Sequence, residues 1–234
     1  MTITIEGEPI SRCPKTVRKI FEKFPSVKKD AAKFVTKPLQ TVQDPVSVLY
    51  INQKEYATLH KGDSNIKVFG SDDATTCHIL FLVNQNEGIL SVSHIDSAND
   101  KESLSSMVID VLGSSQTNSS SLDLYIIGGY DDEKNMSTTL TLKLLEFFHK
   151  LLVHFELKMM CVGTINTHHR EGINWPIVYG VAASFQTEFE ISPASFSLNV
   201  RGPHIALRSA RLFCDKEHLY RYQLWFNLLN KKKQ

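Results

Sequence analysis

The chain has almost no net charge, because 26 Lys and Arg residues are balanced by 25 Asp and Glu residues, a formal charge of +1. A balanced chain has no bulk electrostatic reason to bind nucleic acid or an anionic membrane, so neither partner is expected. Long apolar runs are also missing. The most apolar region, 140–162, is interrupted by charged residues and histidines, whereas a membrane helix needs about 20 consecutive apolar residues.

Cysteine is scarce, and its four positions, Cys13, Cys77, Cys161 and Cys214, are far apart. No two of them have the spacing of a zinc or redox motif, so neither a metal nor a cofactor is predicted. The N-terminus, MTITIEGEPISRCPK, lacks the basic-then-apolar pattern of a secretory signal. We therefore expect reduced thiols and a cytoplasmic location, with the nucleus as a second compartment. A nucleophilic cysteine is compatible with these conditions.

Strand patterns outnumber helix patterns. Apolar residues at helical spacing predict two short helices within 14–36, separated at Pro25, and two more at 104–112 and 140–151. Apolar runs predict strands at 46–51, 66–69, 78–83, 89–94, 122–127, 159–164 and 177–185. A polar loop is expected at 114–121. Hairpins mixed with helix crossovers favour an α+β sandwich, and the length suits one sizeable core.

The strands His78–Val83 and Ile89–His94 are predicted to form a hairpin. A two-residue loop centred on Gln85-Asn86 pairs residues whose numbers sum to 171. This register places Cys77 directly opposite His94, at the end of an apolar stripe, where the Cβ atoms would be about 5 Å apart. A one-residue bulge near Gly88 would change this register.

A cysteine beside a histidine is a nucleophile with its base. The thiolate is the attacking species, an imidazolium stabilises it, and the imidazole shuttles the proton. The alternative is that Cys77 is simply a small buried residue. The preceding segment, Ser71-Asp72-Asp73-Ala74-Thr75-Thr76, is a poor continuation of a buried strand and suits a hydrogen-bonded loop that presents backbone N–H groups beside the sulfur. This favours a reactive cysteine.

Several short motifs occur in a fixed order: GSDDATTCHI (70–79), SHIDS (93–97), IIGGYDD (126–132), PIVYG (176–180), ASF (194–196) and RGP (201–203). In these motifs the chain resembles the protein N-terminal asparagine amidohydrolases, from about residue 45 to about residue 211. The wider fold relatives are bacterial chemoreceptor glutamine deamidases and toxin-type deamidases. The resemblance implies an α-β-β sandwich of mixed and antiparallel sheets, with the helices packed on one side.

The resemblance also implies an activity: hydrolysis of the side-chain amide of an N-terminal asparagine, giving N-terminal aspartate and ammonia through a cysteine thioester. Its product would feed the N-degron pathway of protein degradation. The expected partners are proteins or peptides with a free N-terminal Asn, and the enzyme is expected to be a monomer. An internal protein Gln or Asn deamidase is the alternative activity, and a truncated, inactive variant that acts only in binding is a third interpretation.

The predicted catalytic residues are Cys77 as nucleophile, His94 as base and then acid, and Ser71 as the group that orients His94. Asp96 is the alternative orienting group, and a local turn is the alternative role for Ser71. The predicted substrate-binding residues are Asp72, Asp73, Thr76, Asp96, Gly128 and Gly129. Asp72 and Asp73 could instead cap N–H groups of the loop, and Thr76 could have a structural role. The glycine pair could allow a sharp backbone turn or a close approach to the substrate.

The predicted organisation is a single amidohydrolase domain at 1–211. It comprises a helical N-terminal segment at 14–36 and a catalytic core at 45–211. The remaining residues, 212–234, form a tail that does not match the family in sequence. Helical spacing of apolar residues there, followed by three lysines, indicates a docking helix with a solvated basic end.

Overall fold

A computed structural model describes residues 3–10, 14–99, 101–113, 121–202 and the backbone of 220–221. The helices are α1 (Val17–Lys23), α2 (Pro25–Val35), α3 (Lys101–Leu112) and α4 (Met136–Lys150), with a 3₁₀ helix at Gly163–Asn166. No helix in the described ranges is both long enough and apolar enough to span a bilayer.

The strands are β1 (Ile3–Ile5), β2 (Glu8–Pro9), β3 (Gln40–Val42), β4 (Val48–Tyr50), β5 (Glu55–His60), β6 (Val68–Ser71), β7 (His78–Asn84), β8 (Ile89–Ile95), β9 (Ser121–Gly128), β10 (His154–Cys161), β11 (Thr167–Arg170), β12 (Ile173–Pro176), β13 (Val181–Phe185), β14 (Phe189–Phe196) and β15 (Tyr220–Arg221). An eight-stranded sheet has the order β15-β5-β8-β7-β9-β10-β1-β2. A five-stranded sheet has the order β3-β14-β13-β6-β4, and β11 and β12 form a separate hairpin.

The helix ends follow from local sequence. The Thr16 hydroxyl accepts a hydrogen bond from the Lys19 N–H at the start of α1, and Pro25 begins α2 at a position where its missing N–H has no cost. The Asp132 carboxylate accepts the Met136 and Ser137 N–H groups at 2.9 and 2.8 Å, which caps α4. The four predicted helices are confirmed.

The two large sheets pack face to face, and most of the helices cover the other face of the larger sheet. Alternate residues of β7 belong to different cores. Leu80 and Leu82 pack with α1, α3 and α4. Ile79, Phe81 and Val83 pack against the five-stranded sheet, in what we call the inter-sheet core. Because β7 is covered on both faces, all seven of its residues are buried. The α+β prediction is confirmed, with helices, the larger sheet and the smaller sheet as successive layers.

The β7–β8 hairpin forms, but the predicted register is wrong. Paired residues sum to 173, as in Ile79↔His94 and Asn84↔Ile89, because the turn has four residues, ending at Gly88 with φ +63°. Because the sum is larger by two than predicted, each residue of β7 pairs with a residue of β8 two positions further along. Residues two positions apart in a strand lie on the same face, so the faces are unchanged. Cys77 is therefore a diagonal neighbour of His94 and not its direct partner.

Other strand predictions need correction. The predicted strand 159–164 is β10, which begins earlier and ends at Cys161. Only the second half of the predicted 177–185 is a strand, β13. β5 and β14 were not predicted, although each has a neighbouring strand on both sides in its sheet. The predicted loop at 114–121 lies outside the described residues up to 120, and residue 121 begins β9. The predicted boundary at 211 and the helix in the tail also lie outside them.

Candidate active site

Three predicted catalytic residues meet where the chain crosses from one sheet to the other. Ser71 is the last residue of β6 in the smaller sheet. Residues 72–77 then cross to the start of β7 in the larger sheet. Because β8 runs antiparallel to β7, its end, with His94, lies beside that start. The topology thus brings Ser71, Cys77 and His94 together from three separate segments.

The contacts of Ser71 determine the tautomer of His94. The Ser71 hydroxyl lies 2.6 Å from the Ile51 carbonyl oxygen and 2.7 Å from His94 Nδ1. A carbonyl can only accept, so the single hydroxyl proton goes to Ile51 and the Nδ1–H of His94 donates to Ser71 Oγ. The lone pair is then on Nε2, the nitrogen that a base would use. Of the two groups predicted to orient His94, Ser71 therefore makes the hydrogen bond.

His94 Nε2 is buried and has no hydrogen-bond partner. Buried polar atoms are nearly always satisfied, so an unsatisfied one calls for an explanation. His94 itself is only 3% exposed. Since no protein group occupies the lone pair of Nε2, this nitrogen can accept a proton from a reacting group.

Cys77 lies on the same side of the larger sheet as His94. Its side chain belongs to the inter-sheet core, together with Ile79, Phe81 and Val92, and it is 9% exposed. Diagonal neighbours on one face of an antiparallel pair have Cα atoms about 7–8 Å apart, within reach of long side chains. The structure thus keeps the thiol and the imidazole on one face, as the sequence predicts, but places them one diagonal step apart.

Burial makes both groups neutral at rest. It raises the pKa of the Cys77 thiol to about 11, and Asp96 adds to the rise while the Thr76 hydroxyl and the Lys54 ammonium oppose it. Burial lowers the pKa of His94 to about 4, although Asp96 and Asp73 act in the opposite direction. At neutral pH the resting pair is a thiol and an imidazole. The expected thiolate–imidazolium pair is therefore not the resting state.

Asp96 is the carboxylate beside the thiol. Continuing the β7–β8 register by one pair beyond His78↔Ile95 sets Cys77 opposite Asp96. The Asp96 side chain is 24% exposed and lies 3.7 Å from Lys54 Nζ, and Gln53 donates to it at 2.7 Å. Asp96 therefore offers negative charge at the surface next to the sulfur.

Asp72 is committed to the protein's own groups. Its carboxylate accepts the Tyr50 hydroxyl at 2.7 Å, the Phe196 N–H at 2.6 Å and Arg201 Nη2 at 3.0 Å, and its side chain is 1% exposed. Asp73 also receives Arg201 but remains at the surface, with 63% of its side chain exposed. Asp72 therefore holds the crossing segment in place, and Asp73 is the one of the two that a ligand could reach.

Gly128 and Gly129 allow close packing against Cys77 and His78. A Cβ on Gly128 would lie 2.7 Å from the Cys77 carbonyl oxygen, and one on Gly129 would lie 2.6 Å from the His78 ring. Both glycines have positive φ angles, 113° and 65°. The close approach is thus to Cys77 and His78 of the protein itself.

Sequence reasoning assigned no role to several residues that support the site. Asn166 is fully buried, and its amide donates to the Gly129 and Val178 carbonyls and accepts the Val178 N–H. Arg201 is in the RGP motif, and Gly180, in the PIVYG motif, packs so closely on Asp72 that a Cβ would lie 2.5 Å from its Cβ. For Gly180 and Arg201 the available signal was membership of the motifs of the resemblance, whereas Asn166 lies outside those motifs.

A family model described as protein N-terminal asparagine amidohydrolase matches residues 38–226. The chain belongs to this family. The match begins before residue 45 and extends past residue 211, the limits of the motifs seen in the sequence.

Curated relatives agree with this membership. The protein N-terminal asparagine amidohydrolase of Sus scrofa is 31% identical over 213 residues, which cover 91% of this chain and 67% of the relative. That of Mus musculus is 31% identical over 90% of this chain and 67% of its own length. The Arabidopsis thaliana protein of the same name is 29% identical over 70% of this chain and 50% of its own length. Ser71, Cys77 and His94 all lie inside the segment matched by the family model.

Proposed function

We propose that the chain hydrolyses the side-chain amide of an N-terminal asparagine, giving N-terminal aspartate and ammonia. The observation that carries the proposal is the buried His94, whose Nδ1 is held by Ser71 and whose Nε2 is unsatisfied on the face that carries Cys77. The names of the relatives supply the substrate class.

The proposed chemistry proceeds in two steps. His94 Nε2 takes the Cys77 proton as the sulfur attacks the amide carbon, and the imidazolium returns that proton to the nitrogen, which leaves as ammonia. The resulting thioester is hydrolysed by a water that the now neutral His94 deprotonates. The proton then returns to the departing sulfur, which restores the starting thiol. A neutral imidazole at rest suits this sequence, because it can accept the proton from the start.

The oxyanion needs preorganised N–H donors. In the crossing segment, the Ala74 and Thr75 N–H groups are already bonded to the Tyr179 and Asp73 carbonyls. We assign the oxyanion to the backbone N–H groups of Thr76 and Cys77. Both immediately precede β7, at the sulfur-bearing end of the crossing segment.

The substrate's α-ammonium would bind at Asp96, with Asp73 as a second negative group nearby. Asp96 is electrostatically coupled to both Cys77 and His94, and its carboxylate is partly exposed. Anchoring the ammonium at a fixed distance from the sulfur would separate asparagine from glutamine, since one extra carbon misplaces the amide. A methylene alone gives only about 10–200-fold discrimination through apolar contact.

Ammonia release from matched peptides tests the function. A peptide that begins with free Asn should be turned over, and the same peptide with an acetylated N-terminus should react at least about 100-fold more slowly, because it has lost the charge that Asp96 would bind. Equal rates for free and acetylated peptides would indicate an internal deamidase instead. Binding of Asn peptides without ammonia release would indicate the inactive interpretation. An N-terminal Gln peptide run in parallel measures the selectivity.

Degradation through the N-degron pathway is a proposed consequence of the reaction, since the product carries a new acidic N-terminus. A reporter beginning with Asn should lose stability in cells when the active enzyme is added. The same reporter beginning with Asp should be unaffected by it.

Ser71→Ala should lower kcat for an Asn peptide about 10- to 100-fold, part of the roughly 10²–10⁴-fold that a positioned base contributes. The change removes the acceptor that holds the Nδ1–H tautomer of His94, so the ring is free to present a proton where a lone pair is needed. KM should change little. Steady-state kinetics of ammonia release measure both constants.

Ser93→Ala is the matched control. Ser93 is on β8 next to His94 and fully buried, but its hydroxyl has no hydrogen-bond partner. This variant should keep the wild-type kcat. If the two alanine variants lost the same activity, Ser71 would have no specific role in orienting the base.

A further inference from the structure

A cavity of about 550 Å³ lies beside the crossing segment. One wall is the exposed face of the β11–β12 hairpin, where His168 pairs with Trp175 and Arg170 pairs with Ile173. Residues at paired positions share a face, so these four side chains line the cavity together. The other wall is formed by Asp73 and Thr75 of the crossing segment.

The cavity borders the crossing segment just before Cys77, because Asp73 and Thr75 of that segment line it. Thr75 is two residues from Cys77, and an extended chain advances about 3.5 Å per residue. Tyr179 lines the cavity, and its carbonyl accepts the Ala74 N–H at 2.8 Å, which fixes that wall to the crossing segment. A peptide whose first residue is at Cys77 can therefore reach this cavity with its second residue.

Three large apolar side chains are exposed along the lining, next to its charged residues. Ile173, Trp175 and Tyr179 are 52, 51 and 41% exposed, an unusual concentration of large apolar surface around one cavity. The charges on the rim are already paired: Arg170 lies 3.3 Å from Glu171, and Asp73 is bonded to Arg201. An uncharged side chain would therefore find its main contacts on the apolar residues of this lining.

We propose that this cavity is a subsite for the side chain of the substrate's second residue, and that it prefers a large apolar or aromatic side chain there. The inference rests on the proposed function and adds a specificity beyond the N-terminal asparagine. Trp175 and Ile173 are its specificity-determining residues.

A peptide series that differs only at the second residue tests the subsite. For the wild-type enzyme, kcat/KM for Asn-Phe peptides should exceed that for Asn-Gly peptides by about 10-fold or more, as expected from burial of most of an aromatic side chain. In Trp175→Ala this ratio should fall to within about 2-fold of unity. Ile173→Asp should also bring this ratio close to unity, because it replaces an apolar wall of the cavity with a carboxylate that lies opposite Arg170.

His169→Ala is the control, because His169 is on the opposite face of the same hairpin, paired with Asn174. It should keep the wild-type preference for Asn-Phe. Turnover of Asn-Phe and Asn-Gly at equal kcat/KM by the wild type would overturn the subsite while leaving the deamidase proposal intact. So would a preference that survives both Trp175→Ala and Ile173→Asp. Failure of the wild type to turn over any Asn peptide would overturn the proposed function and the subsite with it.

Discussion

Cys77→Ala should reduce ammonia release from an Asn peptide by at least about 10³-fold, since loss of a nucleophile leaves only binding and electrostatic stabilisation to act on the amide. The proposed reaction passes through a bond to the sulfur, which the alanine variant lacks. Initial rates under saturating peptide, with the folded state checked by thermal unfolding, measure the effect.

Cys161→Ala is a closely matched control. Cys161 is also buried in the inter-sheet core, and burial raises the pKa of its thiol to about 12. It is at the end of β10 and not at the crossing between the sheets, so its removal should leave kcat unchanged. Both variants lose one small buried side chain, so both should lose similar stability. Comparable turnover by Cys77→Ala and the wild type would remove Cys77 from the mechanism.

The β7–β8 hairpin shows why the face on which a strand residue lies can be predicted more reliably than its partner on the other strand. The alternation of apolar residues along β7 and β8 places Cys77 and His94 on one face, and a shift of two residues does not change that face. The turn length is decided by how Gln85 to Gly88 fold locally and by packing against β5 and β9. The hairpin sequence alone contains too little of that information.

The role of Asp72 could not be predicted for a different reason. Its partners, Tyr50, Phe196 and Arg201, are distant in sequence and meet only when β4, β6 and β14 assemble. Nothing local distinguishes a carboxylate that binds a substrate from one that fixes a loop. The ordered motifs do carry the information collectively, because those around Gly180, Phe196 and Arg201 all converge on Asp72.

The missed strands have a related cause. β5 contains a buried Glu55, and β14 contains Pro193, residues that argue against an interior strand when considered locally. Tertiary pairing overrides these preferences: β5 lies against β8 over five residue pairs and β14 against β13 over five. Helices were easier to predict, because the periodicity of their apolar residues and the residues at their ends are local features of the sequence.

Acidification from pH 7 to pH 5 should destabilise the protein by roughly 3–4 kcal/mol through two buried histidines. Burial lowers the pKa of His78 to about 3 and that of His94 to about 4, from an ordinary value of 6.5. The unfolded chain therefore binds protons as the pH falls below 6.5 while the folded protein does not. Stability is highest above pH 6.5 and is lost progressively down to about pH 4 for His94 and pH 3 for His78. Urea unfolding followed by tryptophan fluorescence at several pH values measures this dependence.

Single substitutions separate the two contributions. His78→Gln and His94→Gln should each remove about half of the pH-dependent loss, whatever their effect at pH 7, while His60→Gln, at an exposed position, should leave it unchanged. A free energy of unfolding that stayed constant from pH 7 to pH 5 in the wild type would contradict the depressed pKa values. The same burial that makes the fold sensitive to acid keeps His94 neutral at physiological pH. In the proposed mechanism this is the form that can accept the Cys77 proton, so sensitivity to acid and basicity of the site have one physical cause.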